Sequence, residues 1–259
     1  MSQMSAAEIM ELMCEEDQRM LAAVRAALPQ LSTASEMLAV AIRDTKRIVF
    51  VGAGTSGRIA AMEAAEWRPT FGVGEEQARA VVAGGSPSLA SSVEGAEDDQ
   101  EAAREAVRLA VLADGGVPGC IVAVSASGET PFTVAGADEG RRLGTKVIGV
   151  ACNPGSSLLR AADCPVLLDT GPEVVRGSTR LKAGTAQKIA LNMISVAAMC
   201  AAGRVLGDRM SHMTPVNRKL RDRAISIVSE TLGIDRGAAE ERLTNCDWNL
   251  PAALGVTRE

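Results

Sequence analysis

The feature that most constrains this chain is a short apolar run that ends in glycines and opens a helix. RIVFV at 47–51 runs straight into GAGTSG at 52–57. An apolar run of this length, without polar alternation, reads as a strand buried on both faces. Similar runs recur at 80–83, 120–124, 146–151 and 165–168, each followed by a Gly- or Ser-rich turn and a helical stretch. This alternation predicts an α/β fold, a three-layer sandwich with a mostly parallel sheet between helices.

The flanks read differently. Ile9, Leu12, Met13, Met20, Leu21 and Val24 recur at helical spacing within 5–44, and Pro29 is expected to separate two N-terminal helices. A helix over 181–204 is apolar nearly all round, so it is expected to be buried against the sheet or a partner subunit. From 215 to 259 no strand pattern remains, which predicts a small helical C-terminal region beside a main domain over 1–214.

Composition removes whole classes of function. Only five of 259 residues are aromatic, whereas alanine supplies 43 and glycine 25. Small residues suit close helix–sheet packing, while base-stacking nucleic-acid binding needs aromatic surfaces. A net charge of −5 also disfavours a phosphate-backbone binder. The lone histidine, His212, excludes a site of several histidine ligands, and no metal is expected. The six cysteines form no C-x-x-C and read as buried thiols of a reducing compartment. With no signal-peptide pattern and no unbroken apolar run of about 18 residues, the expected place is the cytoplasm, without membrane contact.

Taken literally, GAGTSG is a dinucleotide fingerprint. That motif wants an acid at the end of the second strand, and here the strand ends VVAGG at 81–85. Gly54, Thr55, Ser56 and Gly57 instead offer hydroxyls beside free backbone N–H groups at a helix start, which suits a phosphate monoester. A second loop, SASGETP at 125–131, sets Ser125, Ser127 and Thr130 around Gly128 and Glu129. Either loop alone reads equally as a plain capping turn. Two at the C-terminal ends of parallel strands point to a phosphate held by hydroxyls and amides.

These paired loops resemble the sugar isomerase (SIS) domain of phosphosugar proteins. Four stretches narrow the resemblance: VGAGTSGRIAAMEAAEWRPTFG (51–72), AGGSPSLASSVEGAEDD (83–99), CNPGS (152–156) and GPEVVRGSTRLKAGTAQKIALNMIS (171–195). They resemble the N-acetylmuramic acid 6-phosphate etherase family, over about 6–243. The resemblance implies an SIS-type fold and a carbon–oxygen lyase of peptidoglycan recycling. Its reaction cleaves the C3 D-lactyl ether of the phosphosugar by elimination and hydration, giving N-acetylglucosamine 6-phosphate and D-lactate with no cofactor. Two carboxyl groups can carry such chemistry. By resemblance the acid falls on Glu66 and the base on Glu97, with Ser178 and Lys182 beside the substrate. A homodimer is expected, because SIS proteins commonly place residues of both subunits near the site.

The local sequence lends support. Glu66 precedes Trp67-Arg-Pro69, which is expected to stop its helix. The negative helix end disfavours a carboxylate, and Trp67 beside it is expected to reduce its solvation, which suits a proton donor. Glu97, in EGAEDD at 94–99, is expected at the start of a helix reaching about Leu112, where the positive end suits a base. An acidic run there is also plain dipole compensation. Glu63 is a rival to Glu66 one turn earlier, or a solvated face residue. His212 reads as structural, with ring opening as the lesser alternative.

Two departures from the family pattern bear on the substrate. Glu129 stands where the family's A-S-G-R-T carries Arg, yet the loop is similar to the S-x-S-G-E-T loop in the isomerase domain of glucosamine-6-phosphate synthase. WRPT at 67–70 replaces C-P-P-T and is expected to recut the pocket. The family's short leading segment is also not seen, which bears on how the site closes. Two other readings stay open: a phosphosugar-binding regulator, like the SIS-containing glucokinase regulatory protein, and a phosphosugar isomerase that moves the C2 proton to C1.

Overall fold

The computed structural model describes residues 1–256. Helices α1 (Ala6–Ala26) and α2 (Leu28–Arg43) lead into five strands: β1 (Arg47–Gly52), β2 (Ala78–Val82), β3 (Pro118–Val124), β4 (Lys146–Ala151) and β5 (Cys164–Leu167). Interleaved with the strands are α3 (Gly54–Phe71), α4 (Gln100–Leu112), α5 (Pro131–Arg142) and α6 (Ser157–Ala161). After β5 come α7 (Lys182–Ala201), α8 (Arg218–Leu232), α9 (Arg236–Asn245) and α10 (Leu250–Leu254).

All strand pairings are parallel, in the order β2-β1-β3-β4-β5. The chain steps outward from β1 to β2, then returns to the far side of β1 for β3. Such a reversal opens a crevice between the loops that leave β1 and β3. Those loops are GAGTSG and SASGET, so topology brings the two hydroxyl-rich segments to one end of the sheet.

The central strands β1, β3 and β4 are buried on both faces, which is why they lack polar alternation, whereas the edge strands β2 and β5 leave Ala80 and Pro165 exposed. Ile48, Phe50, Val122, Val124 and Ile148 pack with Leu38 and Ile42 of α2, Trp67 of α3, and Leu191 and Ile194 of α7. Val49, Val51, Ile121, Ala123 and Val147 pack with Val107 and Val111 of α4, Phe132 of α5 and Leu158 of α6. Helix α7 is buried along the sheet side but leaves Met193 and Val196 exposed. Helices α8 to α10 form a third core around Val228, Leu243 and Leu250. Among the described residues no helix is long and apolar enough to cross a membrane.

Two boundaries differ from the sequence expectation. The first two helices separate at Ala27, because Pro29 sits in the first turn of α2, where a missing N–H costs nothing. Helix α3 runs through Pro69 to Phe71 and ends at Gly72, which adopts φ 67°. One lost bond near the last turn does not end a helix whose buried side is still engaged. The glycines of the first loop answer a packing demand. A Cβ on Gly57 would lie 2.7 Å from the Gly52 carbonyl oxygen and 2.7 Å from Val82 Cγ1. Only glycine lets the start of α3 approach β1 and β2 so closely.

Candidate active site

The loop after β3 is a cluster of hydroxyls. Ser125 Oγ lies 2.9 Å from Thr130 Oγ1 and 3.3 Å from Ser127 Oγ, and Ser127 lies 3.4 Å from Thr130. Ser125 Oγ also accepts from the Gly128 N–H at 3.0 Å, and Ser127 Oγ from the Glu129 N–H at 3.1 Å. Each hydroxyl can turn its proton towards an arriving anion. Gly128 has φ 69°, and a Cβ there would meet Ser156 Oγ at 2.2 Å, so the CNPGS segment backs this loop. Glu129 does not crowd the cluster with charge. Its carboxylate accepts from Ser157 N at 2.8 Å and Ser157 Oγ at 2.6 Å. Those bonds hold its pKa below the ordinary carboxylate value.

The loop after β1 is used otherwise. Ser56 is buried, and its hydroxyl donates to Gln187 Oε1 of α7 at 2.9 Å. Thr55 sets its methyl against Gly184 of α7, where an added Cβ would lie 3.3 Å from Thr55 Cγ2. The hydroxyl of Ser56, expected at a ligand, is therefore spent on a neighbouring helix. Gly54 lines a cavity of about 180 Å³ together with Arg58, Ser88, Ser92, Glu94 and Glu97. Arg58 Nε donates to the Ser88 carbonyl at 2.9 Å. The sequence reading missed Arg58. Arg58 is the fifth residue of α3, past its first turn, and nothing in the local pattern marked it.

Glu97 opens onto this cavity, but not from a helix N-terminus. It lies in a tight turn, Ala96–Asp98, ahead of Asp99, whose side chain caps α4 by accepting from Ala102 N at 2.9 Å. The helix-end argument for Glu97 thus belongs to Asp99.

The arguments for Glu66 are corrected as well. Buried positions along α3 are Ser56, Gly57, Ala60, Glu63, Trp67 and Phe71, which place Glu66 off that side and in solvent. Trp67 is fully buried, donates from Nε1 to Ser195 Oγ at 3.1 Å, and meets Phe50 edge-on at 5.2 Å. It neither shields Glu66 nor recuts a pocket. Glu63 is no solvated face residue, since it is buried and bonds Lys188 Nζ at 2.9 Å. Glu66 does not line the Glu97 cavity. Eight residues beyond Arg58, it sits about 12 Å further along α3 at 1.5 Å per residue.

The segment before α7 completes the crevice. Ser127, Asn153, Thr170, Glu173, Arg176 and Thr179 line a second cavity of about 180 Å³. Cys152 borders it too, and burial pushes its thiol up to about 12, so it stays protonated. Ser178 is half-buried nearby in sequence. Glu173 is buried and accepts from the N–H groups of Lys182 at 3.2 Å and Ala183 at 3.0 Å, satisfying the first donors of α7. Lys182 is buried with its ammonium bound to Glu16 of α1. His212 lies at the other end of the molecule, packed on Gly72 where α3 finishes, its Nδ1 3.0 Å from Ser211 Oγ. Within its own chain that position sets it apart from the Glu97 cavity. Among the described residues no cluster of His, Cys, Asp or Glu could hold a metal ion.

A family model described as the SIS domain matches residues 118–217, and one described as the glucokinase regulatory protein N-terminal SIS domain matches residues 30–139. An N-acetylmuramic acid 6-phosphate etherase of Deinococcus radiodurans is 45% identical over 232 residues, covering 90% of this chain and 75% of that protein. An etherase of the same name from Histophilus somni is 38% identical over 254 residues, covering 98% of this chain and 83% of that protein. Among solved structures, a phosphoheptose isomerase from Francisella tularensis aligns with a TM-score of 0.55 at 16% identity. That alignment covers 77% of this chain and 100% of the other, and it is a likeness of fold.

Proposed function

This chain belongs to the N-acetylmuramic acid 6-phosphate etherase family, and from that premise we propose how its residues carry the reaction. The phosphate sits on the hydroxyls of Ser125, Ser127 and Thr130. Glu97 removes the C2 proton, which the C1 aldehyde of the open sugar makes acidic. The electron pair left at C2 expels the C3 lactyl oxygen, and Glu66 protonates that oxygen as it leaves. Water then adds across the double bond, hydroxyl at C3 and proton at C2, which restores both carboxyl groups. Arg58, beside Glu97, offers a cation to the charge that develops as the C2 proton departs.

Glu66 is solvent-exposed on α3 and lies outside the Glu97 cavity of its own chain. We therefore assign it to the site of a second copy in a homodimer, with Met193 and Val196 of α7 as exposed apolar residues such an assembly can cover. All six cysteines are free, which fits a reducing cytoplasm, although only Cys120, Cys152 and Cys164 are the buried thiols expected and Cys14 and Cys200 are exposed. The observation that carries the reading is the Glu97–Arg58 cavity at the β1 and β2 loops of a chain with etherase relatives over nearly its whole length.

Incubation with N-acetylmuramic acid 6-phosphate tests it. D-lactate is expected, with and without a chelator. Co-expressed Glu66→Ala and Glu97→Ala chains are expected to recover activity that neither variant shows alone. The match to the regulatory protein's SIS domain sustains one rival. Phosphosugar binding without D-lactate would move the assignment to a regulator.

A further inference from the structure

Lys182 carries a buried charge that the reaction above does not use. Its side chain is 4% exposed, and its ammonium is paired with Glu16, a residue 166 positions away whose own side chain is 13% exposed. Two other carboxylates line this spot: Glu173 is occupied by the N–H groups that open α7, and Asp17 makes no ion pair with Lys182 among the described residues. Glu16 is therefore the counter-ion, and Lys182 draws its pKa downward.

The pair sits in a cavity of about 190 Å³ lined also by Met13, Asp17, Arg180 and Thr185. Glu173 lines this cavity and the neighbouring one that contains Ser127, so Lys182 lies one compartment away from the hydroxyl cluster. The element that brings Glu16 here is weakly anchored. Within α1 only Met20 and Val24 are buried, and both lie C-terminal to Glu16. The N-terminal half carries its own capping box, Ser5 with Glu8, so its first turn is closed by local bonds and not by the body of the protein.

We propose that Lys182 is the seat of a ligand carboxylate, and that Glu16 occupies this seat in the free protein and is exchanged for it on binding. The inference rests on the etherase reading for the identity of that carboxylate, the D-lactyl group. A buried ammonium must stay paired, because an uncompensated charge there is costly. An incoming carboxylate can replace Glu16 one for one. A sugar phosphate without a carboxylate has nothing to exchange. Glu16 is thus a specificity-determining residue: it makes opening of the α1 half-helix conditional on a carboxylate.

Calorimetric titration tests this with two ligands, N-acetylmuramic acid 6-phosphate and N-acetylglucosamine 6-phosphate, on the Glu97→Gln protein with and without Glu16→Gln. Removing the competing carboxylate is expected to tighten the lactyl-bearing sugar by roughly threefold or more and to leave the other unchanged. An equal effect on both ligands, or none on either, overturns the proposal. Hydrogen exchange on the protein with Glu16 intact gives an answer even if Glu16→Gln folds poorly. Amides of residues 6–19 should exchange faster with the lactyl sugar than with the lactate-free one, and identical exchange overturns it. If the wild-type chain releases no D-lactate, the etherase reading fails, while the difference between the two ligands still decides the exchange.

Discussion

The two hydroxyl-rich loops leave adjacent strands at the same end of the sheet, with similar composition, and are put to different use. In the loop after β3 the three hydroxyls lie within 3.4 Å of one another, beside a cavity that Ser127 lines. In the loop after β1 the buried hydroxyl of Ser56 goes to Gln187 on α7. What differs is the neighbour. Helix α7 lies against the start of α3, and its Gly184 and Gln187 take up Thr55 and Ser56. The first loop is then left to place Gly54 and Arg58 beside Glu97. A serine beside a glycine at a strand end is a binding group only where nothing else in the fold claims its hydroxyl.

The proposed division of labour, chemistry at the first loop and phosphate binding at the second, can be broken in four ways. The largest effect is expected from Glu97→Gln, which should lower kcat by about 10²–10⁴ while affinity for N-acetylglucosamine 6-phosphate holds. An unchanged kcat would remove Glu97 as the base. Next is Ser125→Ala, which removes the hub of the hydroxyl cluster. Loss of a charge-assisted bond of about 1.5–3 kcal/mol corresponds to a KM roughly 10- to 150-fold higher, with kcat little altered. Steady-state D-lactate assays separate the two parameters.

Gly57→Ala is expected to act on stability. Overpacking against Gly52 and Val82 should cost about 1–3 kcal/mol, read as a lower midpoint in denaturant at unchanged slope. A midpoint equal to wild type would show that the close approach is not required. Ser56→Ala should have the smallest effect on function, with KM within about threefold and stability down by about 1–2 kcal/mol, since Gln187 Oε1 then loses its donor. A rise in KM as large as that of Ser125→Ala would put Ser56 on the phosphate and abolish the contrast between the loops.

The legible parts of this chain are those whose evidence is local. Each apolar run lies within two residues of a strand, and the runs of β1, β3 and β4 are continuous because those strands are buried on both faces. The α7 pattern placed the helix but not the side of it that stays exposed. Helix α3 shows the limit. Glu63, Glu66 and Trp67 are close in sequence, and their type alone favours an outward Glu63 and a Trp67 shielding its neighbour. The fold does the opposite, because α3 packs on both the sheet and α7. Lys188 of α7 gives buried Glu63 its partner, and Ser195 does the same for the Trp67 N–H.

By itself the sequence determined the parallel sheet, the two loops at its carboxyl ends and the family. Hydrophobic period and glycine position act within a few residues of chain, and a motif survives in one dimension. Only the tertiary structure decided which polar groups remain available. Ser56 is claimed across 131 residues by Gln187, Lys182 across 166 by Glu16, and Glu129 by Ser157. A buried hydroxyl or charge must find a partner wherever the chain supplies one. That search runs through space, so no spacing along the chain records its outcome.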